Sequence, residues 1–91
     1  MKVRYENQYY IHFCLGCNEE HLIPHFDGRP HWDFNGNFDL PTFSPSIKHS
    51  FHDKGCCHYF IRNGQIEYCG DCDHNLAGKT VLLPELKVET A

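Results

Sequence analysis

Phe13-Cys14-Leu15-Gly16-Cys17 is the stretch from which the rest of the chain can be read. Two cysteines separated by two residues can place both sulfurs on one metal ion. The glycine between them lets the backbone turn tightly enough for its amides to face the thiolates. This is half of a tetrahedral zinc site. The other half has to come from Cys56-Cys57-His58 or from Cys69-Gly70-Asp71-Cys72-Asp73-His74, so the metal closes most of the chain into one loop. A thiol redox pair is the competing reading, but no βαβ pattern surrounds the two cysteines.

The 91 residues suit a single domain spanning 1–91, with an ordered core over about 8–84 and a loose tail over 85–91. A chain of this size buries only about 60–70% of its unfolded surface, and an apolar fraction of 41% is thin for a self-sufficient core. A structural zinc supplies on the order of 10–16 kcal/mol of apparent binding energy that is also folding energy. The net charge is −4, and eight Lys and Arg are scattered from Lys2 to Lys87 without forming a basic face. That excludes the usual electrostatic footprint of a nucleic-acid partner. Met1 to Asn7 lacks the apolar core of a signal peptide, and no apolar run reaches the ~18 residues of a membrane span. The expected setting is the reducing cytoplasm, where six cysteines point to metal or reactivity rather than disulfides.

The fold class expected is mostly β (small α+β): a compact, zinc-stabilised domain with a CxxC knuckle, β-hairpins and at most one short helical turn. Residues 8–13 are aromatic and β-branched and read as a strand entering the knuckle. Asn18-Glu19-Glu20 reads as a turn and His21 to Phe26 as an edge strand, because Pro24 lacks a donor. Asp27-Gly28-Arg29-Pro30 reads as a turn. Trp32-Asp33-Phe34 followed by Asn35-Gly36 suggests a tight hairpin with Phe38 and Leu40 on the return strand.

In Pro41-Thr42-Phe43-Ser44-Pro45-Ser46-Ile47 two prolines favour an extended edge and exclude a central strand. Thr42, Ser44 and Ser46 then form a ladder of hydroxyls that either satisfies neighbouring backbone or lines a binding site. Residues 48–55 read as an exposed loop. The clearest hairpin joins Cys57–Arg62 to Gln65–Cys69 across Asn63-Gly64, pairing Ile61 with Ile66, Tyr59 with Tyr68 and His58 with Cys69. Cys57 and His58 must then point to opposite faces, so one binds metal and the other has a different task. His74 to Ala77 reads as a helical turn closed by Gly78, and Thr80 to Leu83 as a last strand.

By pattern alone Cys14, Cys17, Cys69 and Cys72 form a zinc-ribbon set. The chain also resembles a family of short proteins from phages, prophages and bacterial mobile regions, often labelled ammonia monooxygenases. The resemblance rests on Phe13-Cys14-Leu15-Gly16-Cys17 with His21, Trp32-Asp33-Phe34-Asn35-Gly36-Asn37, Pro41-Thr42-Phe43-Ser44-Pro45-Ser46, Cys57-His58-Tyr59-Phe60 and Gly70 to Val81. It departs from the family at Leu15, where a proline is usual, and in the extra Cys56. The resemblance implies a ligand set of Cys14, Cys17 and Cys57 with His58 or His74 as the fourth. It also implies that the slot of Cys69 is normally apolar. Some such proteins stand beside bacterial ubiquitin-like conjugation genes, which implies protein partners.

Two functions follow. The first is a zinc-stapled protein-interaction module with a protein partner, a host factor being the candidate, and with no nucleic acid and no membrane; the oligomeric state stays open. The second is a zinc-dependent hydrolase or Cys/His-based enzyme using a pocket around His58, Asp71 and His74, with the hydroxyl ladder beside it. If one polar pocket serves either function, Trp32, the three hydroxyls, His58 and His74 should converge near the metal.

Overall fold

The computed structural model describes residues 1–26, 32–51 and 55–86. The aromatic run before the knuckle forms β2 (Tyr9–Cys14), the centre of a three-stranded antiparallel sheet flanked by β1 (Arg4–Glu6) and β3 (Glu19–Pro24). β1 was not expected. It is joined to β2 through Asn7 and Gln8, both with positive φ (51° and 69°), which is the backbone that a tight hairpin requires. β3 includes Glu19 and Glu20, read as a turn in the sequence, because the ladder with β2 runs on to Cys14↔Glu19. It is an edge strand, where the missing donor of Pro24 is tolerated.

The second sheet is antiparallel and has five strands in sequence order: β4 (Asp33–Phe34), β5 (Phe43–Phe51), β6 (Gly55–Arg62), β7 (Gln65–Tyr68) and β8 (Thr80–Leu82). The β6–β7 hairpin has the expected register, with Arg62↔Gln65, Ile61↔Ile66 and Tyr59↔Tyr68 paired. Cys57, Tyr59 and Ile61 are buried, while His58 and Phe60 are half-buried and Arg62 is exposed.

Four further expectations are corrected. β4 does not fold back onto Phe38 and Leu40 but pairs with Phe43 and Ser44. The intervening loop is held by Asn35, whose Oδ1 accepts from the amides of Asn37 and Thr42; these bonds outweigh the Asn-Gly hairpin signal. Residues 48–51 are strand, not loop, since pairing with β6 (His49↔Cys57, Ser50↔Cys56) overrides their weak β propensity. Pro45 lies inside β5, between two paired strands, yet it falls in a register shift between Phe43 and Ile47. That is the place in a sheet where a missing donor does least harm. Finally, no helix forms among the described residues. The segment from His74 to Lys79 makes successive turns, Ala77 to His74 at 3.2 Å and Lys79 to Leu76 at 3.0 Å, because its side chains are committed to β6 and the segment is too short to nucleate a helix. Among the described residues no helix is therefore long and apolar enough to cross a membrane. The turn at 27–30 and the tail beyond residue 86 lie outside the described residues.

The two sheets share one core. At one end Tyr10 of β2 packs on Phe34 and Phe43 with ring centroids 4.8 and 5.4 Å away. Val3, Ile23, Ile47, Ile61, Ile66 and Leu83 are almost fully enclosed. At the other end the core is polar. His12 and His21 are buried, and the Tyr59 hydroxyl lies 2.6 Å from His12 Nε2 and 2.9 Å from His49 Nε2. One hydroxyl donates to one imidazole and accepts from the other, which fixes complementary tautomers. Burial, and next the adjacent His21, push His12 down to about 3 and His49 down to about 4, so both rings stay neutral.

Tyr59→Phe keeps the packing but leaves both Nε2 atoms without this partner. It should cost about 1–3 kcal/mol, read as a lower urea midpoint at unchanged slope.

Candidate functional site

The knuckle closes on β6. Sγ of Cys14, Cys17 and Cys57 and a ring nitrogen of His21 lie within 4.8 Å of one another. Cys14 Sγ is 3.9 Å from Cys57 Sγ, and all six cysteines are free thiols. Each donor has a local cause. Cys14 ends β2 with its side chain inward, and a turn returns the chain so that the Asn18 amide donates to the Cys14 carbonyl at 2.8 Å. The Cys17 amide donates to Cys14 Sγ at 3.3 Å, as the sequence reading of Gly16 required. Gly16 has a second reason: a Cβ there would collide with the ring of His74. His21 projects inward from β3, and Cys57 projects inward from β6. His74, on the loop after β7, places Nε2 3.3 Å from Cys57 Sγ and also shares a second cluster with Cys57 and Cys72.

The electrostatics are those of donors crowded around one point. The Cys57 thiol, together with hydrogen bonds from His21, the Tyr68 hydroxyl (3.2 Å) and the Cys17 amide, pulls Cys14 down to about 2 against the opposing effect of burial. Burial and the negative Cys14 raise Cys17 to about 11, and hydrogen bonding to Cys14 drives Cys57 upward. The three sulfurs thus oppose one another's ionisation, and a cation between them would let all three ionise together. Nε2 of His21 is buried without a hydrogen-bond partner among the described residues. Three thiols and an imidazole match the donor set of a closed tetrahedral site.

The opposite face of β6 carries a different arrangement. His58 Nε2 is 3.1 Å from Ser46 Oγ, and His58 Nδ1 is 3.2 Å from both carboxylate oxygens of Asp71. Ser46 sits in the register shift of β5, where a bulge can re-aim a side chain, and its carbonyl accepts from Trp32 Nε1 at 3.1 Å. The backbone of His58 is gripped by Cys72, whose Sγ takes the His58 amide (3.2 Å) and faces its carbonyl (2.9 Å). The loop carrying Asp71 is tied to the start of β6: Cys56 Sγ donates to the Asp71 carbonyl at 3.3 Å, and the Cys56 amide donates to Asp73 Oδ2 at 2.7 Å. Asp73 packs where a Cβ on Gly55 would stand; Gly55 has φ +78°.

The proposed ligands are therefore not all in one place. Cys14, Cys17 and Cys57 come together; His74 touches Cys57; His58 lies across the strand with Asp71. Cys69 and Cys72 of the ribbon pattern stay outside the four-residue group. The single polar pocket does not form. Thr42 Oγ1 accepts from the Asn63 amide at 2.9 Å, Ser44 is exposed, and of the ladder only Ser46 reaches His58. His21 was missed as a ligand candidate, although its place four residues beyond Cys17 of the CxxC knuckle is a usable spacing signal. No spacing rule singles out Ser46.

A family model described as bacterial ubiquitination-like system serine protease (BubE) matches residues 1–69. The matched span includes Ser46, His58, His21 and the three clustered cysteines, and it ends before Asp71 and His74. No curated protein and no solved structure matches the chain.

The geometry predicts that Cys14→Ser, Cys17→Ser and Cys57→Ser each lose bound metal, while His58→Ala and Cys69→Leu keep it, as read by elemental analysis of the purified proteins. Loss of metal from Cys69→Leu would restore the ribbon set.

Proposed function

The chain belongs to the family of bacterial ubiquitination-like system serine proteases (BubE), and we propose that it is a serine peptidase in which Ser46, His58 and Asp71 are nucleophile, base and orienter. The observation that carries this is the continuous relay Ser46 Oγ–His58 Nε2–His58 Nδ1–Asp71, at 3.1 and 3.2 Å. It has the roles and spacing of a serine–histidine–aspartate triad on a β scaffold.

The steps follow from the atoms. With its proton on Nδ1 and held by Asp71, His58 offers the Nε2 lone pair to the Ser46 hydroxyl. Ser46 Oγ attacks the substrate carbonyl, and its proton passes to Nε2. The bond to the leaving group breaks as Nε2 returns that proton to it, which leaves an acyl ester on Ser46. Water, deprotonated by Nε2, then attacks the ester carbonyl, and Nε2 returns that proton to Ser46 Oγ as the acid product leaves. Asp71 keeps the ring in the productive tautomer and offsets the charge of the imidazolium. Ser46 and His58 are only partly buried, so an extended polypeptide has access to them.

The protein-interaction module, which the sequence placed first, becomes a substrate relationship: the partner is a protein of a ubiquitination-like system whose acyl bond is cut. The family description and the relay together favour this order over a pure binding role.

Zinc has a structural place in the same proposal. Cys14, Cys17 and Cys57 with His21 would hold it, His74 being the alternative fourth ligand beside Cys57. Four protein donors leave no open position, so the ion supplies cross-linking rather than chemistry. It would join β2, β3 and β6 on the face of β6 opposite His58.

Two outcomes test this. A fluorophosphonate probe should label Ser46 in the wild type and fail to label Ser46→Ala, and hydrolysis should fall at least ~10³-fold in Ser46→Ala and about 10–10³-fold in Asp71→Asn. The smaller aspartate effect is expected because the Asp71 side chain is 54% exposed. Labelling that persists in Ser46→Ala sinks the relay. Separately, one zinc per chain is expected, and removing it with a strong chelator should unfold the domain; an unchanged melting curve after complete removal contradicts the structural role.

A further inference from the structure

Cys69 has no part in the steps above, yet it stands beside them. A nitrogen of His58, Cys69 Sγ and a carboxylate oxygen of Asp71 lie within 4.8 Å of one another. The Cys69 amide donates to the His58 carbonyl at 2.9 Å, which carries the β6–β7 ladder one pair beyond Tyr59↔Tyr68. Directly opposed residues of an antiparallel pair project to the same face, so the hairpin register itself aims Cys69 at the His58 ring.

The spacing suits a metal. Bond lengths of about 2.0–2.3 Å around tetrahedral zinc put neighbouring donors roughly 3.3–3.8 Å apart, and His58 Nδ1 already stands 3.2 Å from Asp71. Asp71 is exposed and Cys69 half-buried, which leaves a path from solvent. Burial, and next the Asp71 carboxylate, raise the Cys69 thiol above its ordinary value; a cation between the two turns that repulsion into shared attraction.

We propose that His58, Cys69 and Asp71 form a second, weaker site for a soft divalent cation such as zinc, and that filling it switches off Ser46. The proposal rests on the relay reading of His58. On binding, the metal forms bonds to His58 Nδ1, Cys69 Sγ and one Asp71 oxygen, with water in the fourth position. The Cys69 proton leaves to solvent, and the imidazole proton moves from Nδ1 to Nε2. Nε2 then points an N–H at Ser46 Oγ and has no lone pair to receive the serine proton. Asp71 is taken from its orienting role at the same moment. The site is weaker than the cluster behind β6 because it has one thiol in place of three. The closed site therefore fills first, and the second responds to surplus metal.

The test uses full-length protein with its first metal site loaded, in buffers of graded free zinc. Hydrolysis of p-nitrophenyl acetate is measured for the wild type and for Cys69→Ala, each against its own rate at the lowest zinc, with Ser46→Ala as the blank. Zinc should inhibit the wild type, and Cys69→Ala should need at least about tenfold more for half-inhibition, the least expected on losing a ligand. Equal inhibition of both proteins, or a wild-type rate indifferent to zinc, overturns the proposal. If neither protein exceeds the blank, the relay reading has failed by itself and Co²⁺ judges the site. A thiolate-to-cobalt absorption from a second equivalent, present in the wild type and absent from Cys69→Ala, sustains the site, and any other pattern rejects it.

Discussion

The structure depends on one feature of strand geometry: Cys57 and His58 are neighbours in β6 and must face opposite ways. Cys57 looks inward at the CxxC knuckle, 3.9 Å from Cys14 Sγ. His58 looks outward at Ser46 and Asp71. A metal held by the cluster on the inner side, as proposed, would thus fix the backbone from which His58 reaches Ser46 and Asp71. In the proposed relay His58 needs placement to within a fraction of an ångström, and a small β domain with a thin core has few ways to supply that rigidity. Anchoring the adjacent residue to a metal cluster is one of them.

The loop from Cys69 to Gly78 serves both faces. Asp71 turns out to His58, His74 turns in to Cys57, and Cys72 grips the His58 backbone between them. Cys56 and Asp73 tie the base of the loop to the start of β6. This explains why the segment stays as turns and does not gain helical bonds: its side chains are spent on tertiary partners. It also bears on a chain so rich in Cys and His, since several of these residues make hydrogen bonds at the junction. Tyr59 with His12 and His49 continues the same polar filling into the core.

Much of this was legible before any coordinates. The CxxC knuckle follows from spacing. The Asn63-Gly64 turn sets the β6–β7 register, and that register gives the opposite directions of Cys57 and His58 and the pairing of His58 with Cys69. The family resemblance added the preference for Cys57 over Cys69 and Cys72, and the structure brings Cys57 to the knuckle. These are local facts: a two-residue turn fixes pairing, and pairing fixes faces.

What the sequence did not carry are contacts between segments distant along the chain. Ser44 and Ser46 sit in similar surroundings of the same stretch, and only the register shift around Pro45 aims Ser46 at His58. His21 enters the cluster because β3 folds beside β2, not through any property of its own strand. The Asn35-Gly36 hairpin failed because the pairing of β4 with β5 across a longer loop, and Asn35's own side-chain bonds within that loop, outcompeted the two-residue turn. The sequence by itself determined a β domain built around a cysteine knuckle, because spacing and tight turns act over a few residues. Only the tertiary structure decided which serine meets the histidine, because packing one sheet on another and shifting one strand by a bulge are properties of no single stretch.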